Sequence, residues 1–157
     1  MLRMWAHSPA TLHPGMALGT ACISSLSIPV DLREILTLFC AVKFECQYIW
    51  FRHINGTRKE GVTARQIDAF QNRDLRKPEV WDERQIAFFV FLDEVIDCPV
   101  ARDERFLEAM KWFDERQLVE MITEQIRLNC CWFSGFLRCH HRSGSIICDI
   151  ALLQLFE

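Results

Sequence analysis

Asp31-Leu32-Arg33-Glu34-Ile35-Leu36-Thr37-Leu38-Phe39-Cys40-Ala41-Val42 is the stretch on which the fold turns. Leu32, Ile35, Leu36, Phe39 and Val42 recur at spacings of three and four, the interval at which helical side chains return to one face. Asp31 stands in an N-cap position, and Glu34 follows three residues later, where the second member of a capping box belongs. Ser27-Ile28-Pro29-Val30 breaks the chain just before it.

Working upstream, Ser8-Pro9 reads as a cap followed by an N1 proline. Pro14-Gly15 then breaks or kinks that first piece, and Met16 to Ser24 resumes as helix. Downstream, Cys46 to Ile54 is apolar at helical spacing and Asn55-Gly56 ends it. Thr63 with Gln66, Asp82 with Gln85 and Asp114 with Gln117 repeat the capping-box pattern of Asp31 with Glu34. Ile67 and Phe70 face inward on the first of these helices. Ile86, Phe89, Val90 and Val95 do so on the second, where Trp81 pairs with Ile86 as a staple. Leu118, Met121, Ile122 and Gln125 follow on the third, with Phe113 set against Leu118. Residues 71–80 form a loop, Cys98-Pro99 stops a helix, and 103–112 make a short helix around Phe106, Leu107 and Met110. With no strand alternation to compete, the chain is expected to be all-α, with about six to seven helices.

The chain has 157 residues, enough for one domain that buries roughly 70% of its unfolded surface without staples. Half the residues are hydrophobic, and six glycines and five prolines are few for a turn-rich β fold. A net charge of −3 leaves no basic footprint for nucleic acid. No apolar run reaches the ~18 residues a membrane span needs, and the first residues lack a signal-peptide core, so a soluble cytoplasmic protein is expected. The eight cysteines are irregularly spaced and read as buried thiols. Cys139-His140-His141 lacks the separated ligand pairs of a zinc site, so no metal and no cofactor are expected. Residues 126–157 are less coherent than 1–125, and divide the chain into a helical body and a divergent segment that completes it or is appended to it.

Chemistry concentrates in Glu45-Cys46-Gln47-Tyr48-Ile49-Trp50-Phe51-Arg52-His53. On a helix, Cys46, Ile49 or Trp50, and His53 share a face, so that a thiol, an indole and an imidazole line one wall. An imidazole moves protons near neutral pH, which makes His53 the centre of the candidate site. Glu34 is its candidate partner. The two lie roughly 28 Å apart along one unbroken helix, so they meet only if the chain folds back near Val42–Cys46 or a second subunit supplies one of them. Arg33 and Arg52 offer bidentate partners for a substrate carboxylate, and Tyr48 and Trp50 offer walls. Each also has a plainer role: Glu34 as a capping-box member, Cys46 as a small buried hydrophobe, Tyr48 and Trp50 as core, the arginines as solvated charges.

At these residues the chain resembles the carboxymuconolactone decarboxylase and alkylhydroperoxidase-D-like family. Arg3-Met4-Trp5-Ala6-His7-Ser8-Pro9 is similar to that family's start and Asp31–Leu36 to its Arg-Glu helix. Tyr48-Ile49-Trp50-Phe51-Arg52-His53 is similar to its Tyr-Glu-Trp-x-x-His signature, and Gly61–Ile67 to the short helix that follows. The resemblance covers about residues 3–125. It implies an all-helical fold assembling as trimers or hexamers, and a small-molecule substrate. Two activities follow from it: cofactor-independent decarboxylation or isomerisation of a small carboxylate or lactone through His53 and Glu34, or a thiol peroxidase using Cys46. The family's second cysteine, or its carboxylate, is Ile49 here. A non-catalytic helical assembly subunit is the third expectation.

Overall fold

A computed structural model describes residues 6–98 and 100–140, with side chains through 130. It is all-α, as expected. Seven helices lie among the described residues: α1 (Pro9–Ser24), α2 (Val30–Lys43), α3 (Gln47–Thr57), α4 (Ala64–Gln71), α5 (Glu83–Asp97), α6 (Asp103–Ala109) and α7 (Glu115–His140). No helix among them is long and apolar enough to cross a membrane.

Three of the four expected capping boxes form. Thr63 accepts from the Gln66 N–H while the Gln66 side chain accepts from the Thr63 N–H, and Asp82 with Gln85 repeats the exchange. Asp114 Oδ1 accepts from the Gln117 N–H at 2.8 Å, and the Asp114 N–H donates back to the Gln117 side chain at 3.2 Å. The fourth does not form. α2 starts two residues early, with Pro29 at the N-cap, and Asp31 lies inside the first turn without a capping bond. There its charge complements the positive end of the helix dipole.

Of the break or kink expected at Pro14-Gly15, the break is absent, because α1 runs through it. A proline removes one backbone bond and crowds the carbonyl four residues back. Here that carbonyl belongs to Ala10 in the exposed first turn of α1, where water can take it.

α2 is the centre of the molecule, with Leu32, Ile35, Leu36 and Phe39 all buried. Around Phe89 on α5 gather the rings of Phe39, Phe70, Trp81 and Phe88, at centroid distances of 5.4, 5.9, 4.8 and 5.7 Å. Edge-to-face and offset arrangements of this kind add to the burial of each ring. The Trp81 Nε1–H donates to the Asp74 carbonyl at 2.9 Å, so the indole is buried with its one polar atom satisfied.

α6 departs from expectation in part: the helix forms and Met110 at its end packs on the core. Phe106 and Leu107 are exposed, and Ala109 is buried. A small side chain at the inward position lets this short helix lie close to α5. α7 passes residue 125 without interruption and buries Leu128, so the boundary between body and C-terminal segment falls within one helix.

Candidate functional site

The site depends on how the chain reverses between α2 and α3. Glu45 takes a left-handed conformation (φ 53°). The Cys46 N–H donates to the Ala41 carbonyl at 2.8 Å, and the Glu45 N–H to the Val42 carbonyl at 3.3 Å. These two bonds form a Schellman motif, the usual way of closing a helix with a left-handed residue. Glycine normally occupies that residue, because a Cβ there costs about 1–2 kcal/mol. The turn sends α3 back along α2.

This fold-back brings Glu34 and His53 together within one chain. Glu34 Oε2 lies 3.6 Å from His53 Nδ1, with the carboxylate side chain 16% exposed and the imidazole 36% exposed. The separation is slightly longer than a hydrogen bond and falls within ion-pair distance when the imidazole carries a proton. Because the Asp31 capping box is absent, Glu34 is not spent on the helix terminus. The imidazole faces a carboxylate on one side and solvent on the other, as a proton shuttle requires.

The remaining candidates divide. Arg33 Nη1 donates to the Ile23 carbonyl at 2.7 Å and so fastens the end of α1. Such a carbonyl has no partner within its own helix, which gives Arg33 a structural task. Tyr48 and Arg52 are exposed along α3, as is Phe51. Trp50 is half-buried and packs on the core, and Ile49 is buried.

Cys46 is buried at the start of α3. Burial pushes its thiol above the ordinary cysteine value, against the opposing pull of the Ile49 and Tyr48 backbone N–H groups. A thiol held that way is largely protonated at neutral pH and is a weak nucleophile. Seven residues separate it from His53, roughly 10 Å along the helix. Two further thiols are also quiet. Burial, then the Glu124 carboxylate, pushes Cys22 to about 11, and the same two causes raise Cys40. Glu124 itself is buried in a bidentate pair with Arg127 at 2.5 and 2.6 Å.

Beside Cys46 an open groove of about 330 Å³ runs between α2, α3 and α4, lined by the apolar Val42, Cys46, Trp50 and Phe70 and by the polar Gln47 and Gln71, with Glu45 and Arg73 also on it. Arg73 Nη2 donates to Glu45 Oε1 at 2.7 Å. Arg73 closes α4 as Glu45 closes α2: its φ is 58°, its N–H donates to the Phe70 carbonyl at 3.1 Å, and the Asp74 N–H donates to the Ala69 carbonyl at 2.8 Å. Neither residue stands out in the sequence. Glu45 falls between two apolar helical runs, but nothing local joins it to Arg73. Glu34 and His53 do not line this groove.

No group of three or more metal-binding side chains lies among the described residues. The Cys139-His140-His141 run lies outside the described side chains. Comparison with protein-family models, curated proteins and solved structures finds no match.

Proposed function

We propose that this chain is a divergent carboxymuconolactone decarboxylase-like enzyme, doing cofactor-independent acid–base chemistry on a small carboxylate or lactone. The observation that carries the reading is the 3.6 Å approach of Glu34 to His53 across the α2–α3 reversal, with the imidazole open to solvent. Glu34 orients the ring through Nδ1, which leaves Nε2 for the substrate. In a decarboxylation, the bond to the carboxylate breaks and its electron pair moves into the substrate's own carbonyl. His53 then delivers a proton to the carbon that lost carbon dioxide. In an isomerisation, His53 removes the proton at one carbon and returns it at another. Assembly into trimers or hexamers in the cytoplasm goes with this reading. The raised thiol of Cys46 weighs against the peroxidase alternative.

The test is carbon dioxide release and deuterium incorporation from D2O with a panel of small keto-acid and lactone carboxylates. Positioned proton transfer contributes about 10²–10⁴-fold, so His53→Ala is expected to lose that much turnover, Glu34→Gln a part of it, and Cys46→Ala little. Unchanged turnover in His53→Ala removes the proposal. Peroxide consumption with a thiol reductant that vanishes in Cys46→Ala would put the peroxidase reading in its place.

A further inference from the structure

Glu45 and Arg73 are the two non-glycine residues with positive φ among the described residues. Each closes a helix at a position where glycine is unstrained and other residues are not. Each carries a full charge, the charges are opposite, and the side chains meet at 2.7 Å beside the groove between α2, α3 and α4. Their side chains are 64% and 76% exposed (Arg73 and Glu45), and an ion pair so open to water adds little to a fold. Stability therefore does not account for two charged side chains at two strained positions, and strain of this kind collects at binding sites.

We propose that this groove binds a small zwitterion with an apolar side chain, an α-amino acid of the phenylalanine type. Its carboxylate takes Arg73, its ammonium group takes Glu45, and its ring lies against Trp50 and Val42. Charge complementarity selects this class. A carboxylate alone satisfies Arg73 and is repelled by Glu45; an amine alone meets the reverse. A neutral ring leaves the ion pair closed. A zwitterion exchanges one ion pair for two, and its charges are separated by a single carbon. The groove, about 330 Å³, is open to solvent, so a ligand there keeps one face in water and its charges carry most of the recognition. The inference goes beyond the Glu34–His53 reading and does not rest on it.

Titration calorimetry on the full chain tests it with three probes sharing one ring: L-phenylalanine, hydrocinnamate (carboxylate only) and phenethylamine (amine only). L-phenylalanine is expected to bind most tightly, with each singly charged probe weaker by about tenfold or more. Glu45→Gln should raise hydrocinnamate to the level of L-phenylalanine or above it, and Arg73→Gln should do the same for phenethylamine. Both positions are exposed, and the fold of each variant is to be checked by circular dichroism. Equal affinities for the three probes would mean an apolar groove that reads no charge, and would overturn the proposal. So would the absence of L-phenylalanine binding at millimolar concentration, or an order of affinities that neither variant changes.

Discussion

Glu45 shows how much one residue decides here. Asp31 to Val42 and Cys46 to Ile54 both read as helix, and the sequence between them holds no glycine or proline to mark a reversal. The reversal forms because two backbone bonds to Ala41 and Val42 make the left-handed conformation affordable to a residue with a Cβ. A β-branched side chain tolerates that conformation least. Glu45→Val is therefore expected to lose about 1 kcal/mol in urea unfolding, whereas Glu45→Gly, which relieves the Cβ strain but frees the unfolded chain, should be at least as stable as the parent. A Glu45→Val protein as stable as the parent would show that the turn is not strained. Glu34 teaches the complementary lesson. Its spacing from Asp31 matches a capping box, yet Pro29 starts the helix before Asp31 can cap it. The carboxylate is left to face His53.

At the scale of elements, local chemistry was legible wherever a helix start was closed by its own residues. Thr63, Asp82 and Asp114 each make their bonds within three positions of sequence, so no distant packing is needed to place them. Asp82→Ala is expected to cost about 1 kcal/mol through the loss of a working cap. Asp31→Ala should cost less, since only its interaction with the helix dipole is removed. Thermal unfolding of the two variants gives the comparison, and equal losses would contradict the helix start observed at Val30. The faces of the helices were less legible where elements are short. Of Phe106, Leu107 and Met110, only Met110 packs against the core, and α6 is seated chiefly through Ala109. In so short a helix no repeated stripe defines an inward face, and contact with α5 chooses the side.

At the scale of the whole molecule, distant charges tie the helices together. Lys43 on α2 reaches Asp93 and Asp97 on α5 at 3.0 and 2.9 Å. Burial alone would lower the Lys43 value, but hydrogen bonds to Asp97 and Asp93 outweigh it and raise it. Glu120 on α7 accepts from the Ser27 N–H at 2.6 Å and from the Ser27 hydroxyl at 2.8 Å, fastening α7 to the turn before α2. Burial opposes ionisation of Glu120, yet the hydrogen bonds from Arg116 and Ser27 prevail and hold its carboxyl below the ordinary value. A carboxylate so held stabilises the fold fully above its unfolded value of about 4.3, and the contribution fades as pH falls through the lower folded value. The midpoint of thermal unfolding should therefore drop between pH 5 and pH 3, roughly the interval of carboxylate titration, and less steeply in Glu120→Gln. Parallel curves for the two proteins would remove Glu120 from the acid response.

By itself, the sequence determined the helical class, the proline-led start of α1, three capping boxes, the apolar stripe of α2 and the residue types from which a site could be built. These are local properties, set by a period of 3.6 residues and by bonds that close within three positions. Tertiary structure decided which of those residues meet. Glu34 and His53 are brought together by a left-handed glutamate, Arg33 is drawn off to the end of α1, and Glu45 finds Arg73 across a groove. Each of these encounters joins residues ten or more positions apart in the chain. Only the packing of whole helices around Phe89 sets their distances.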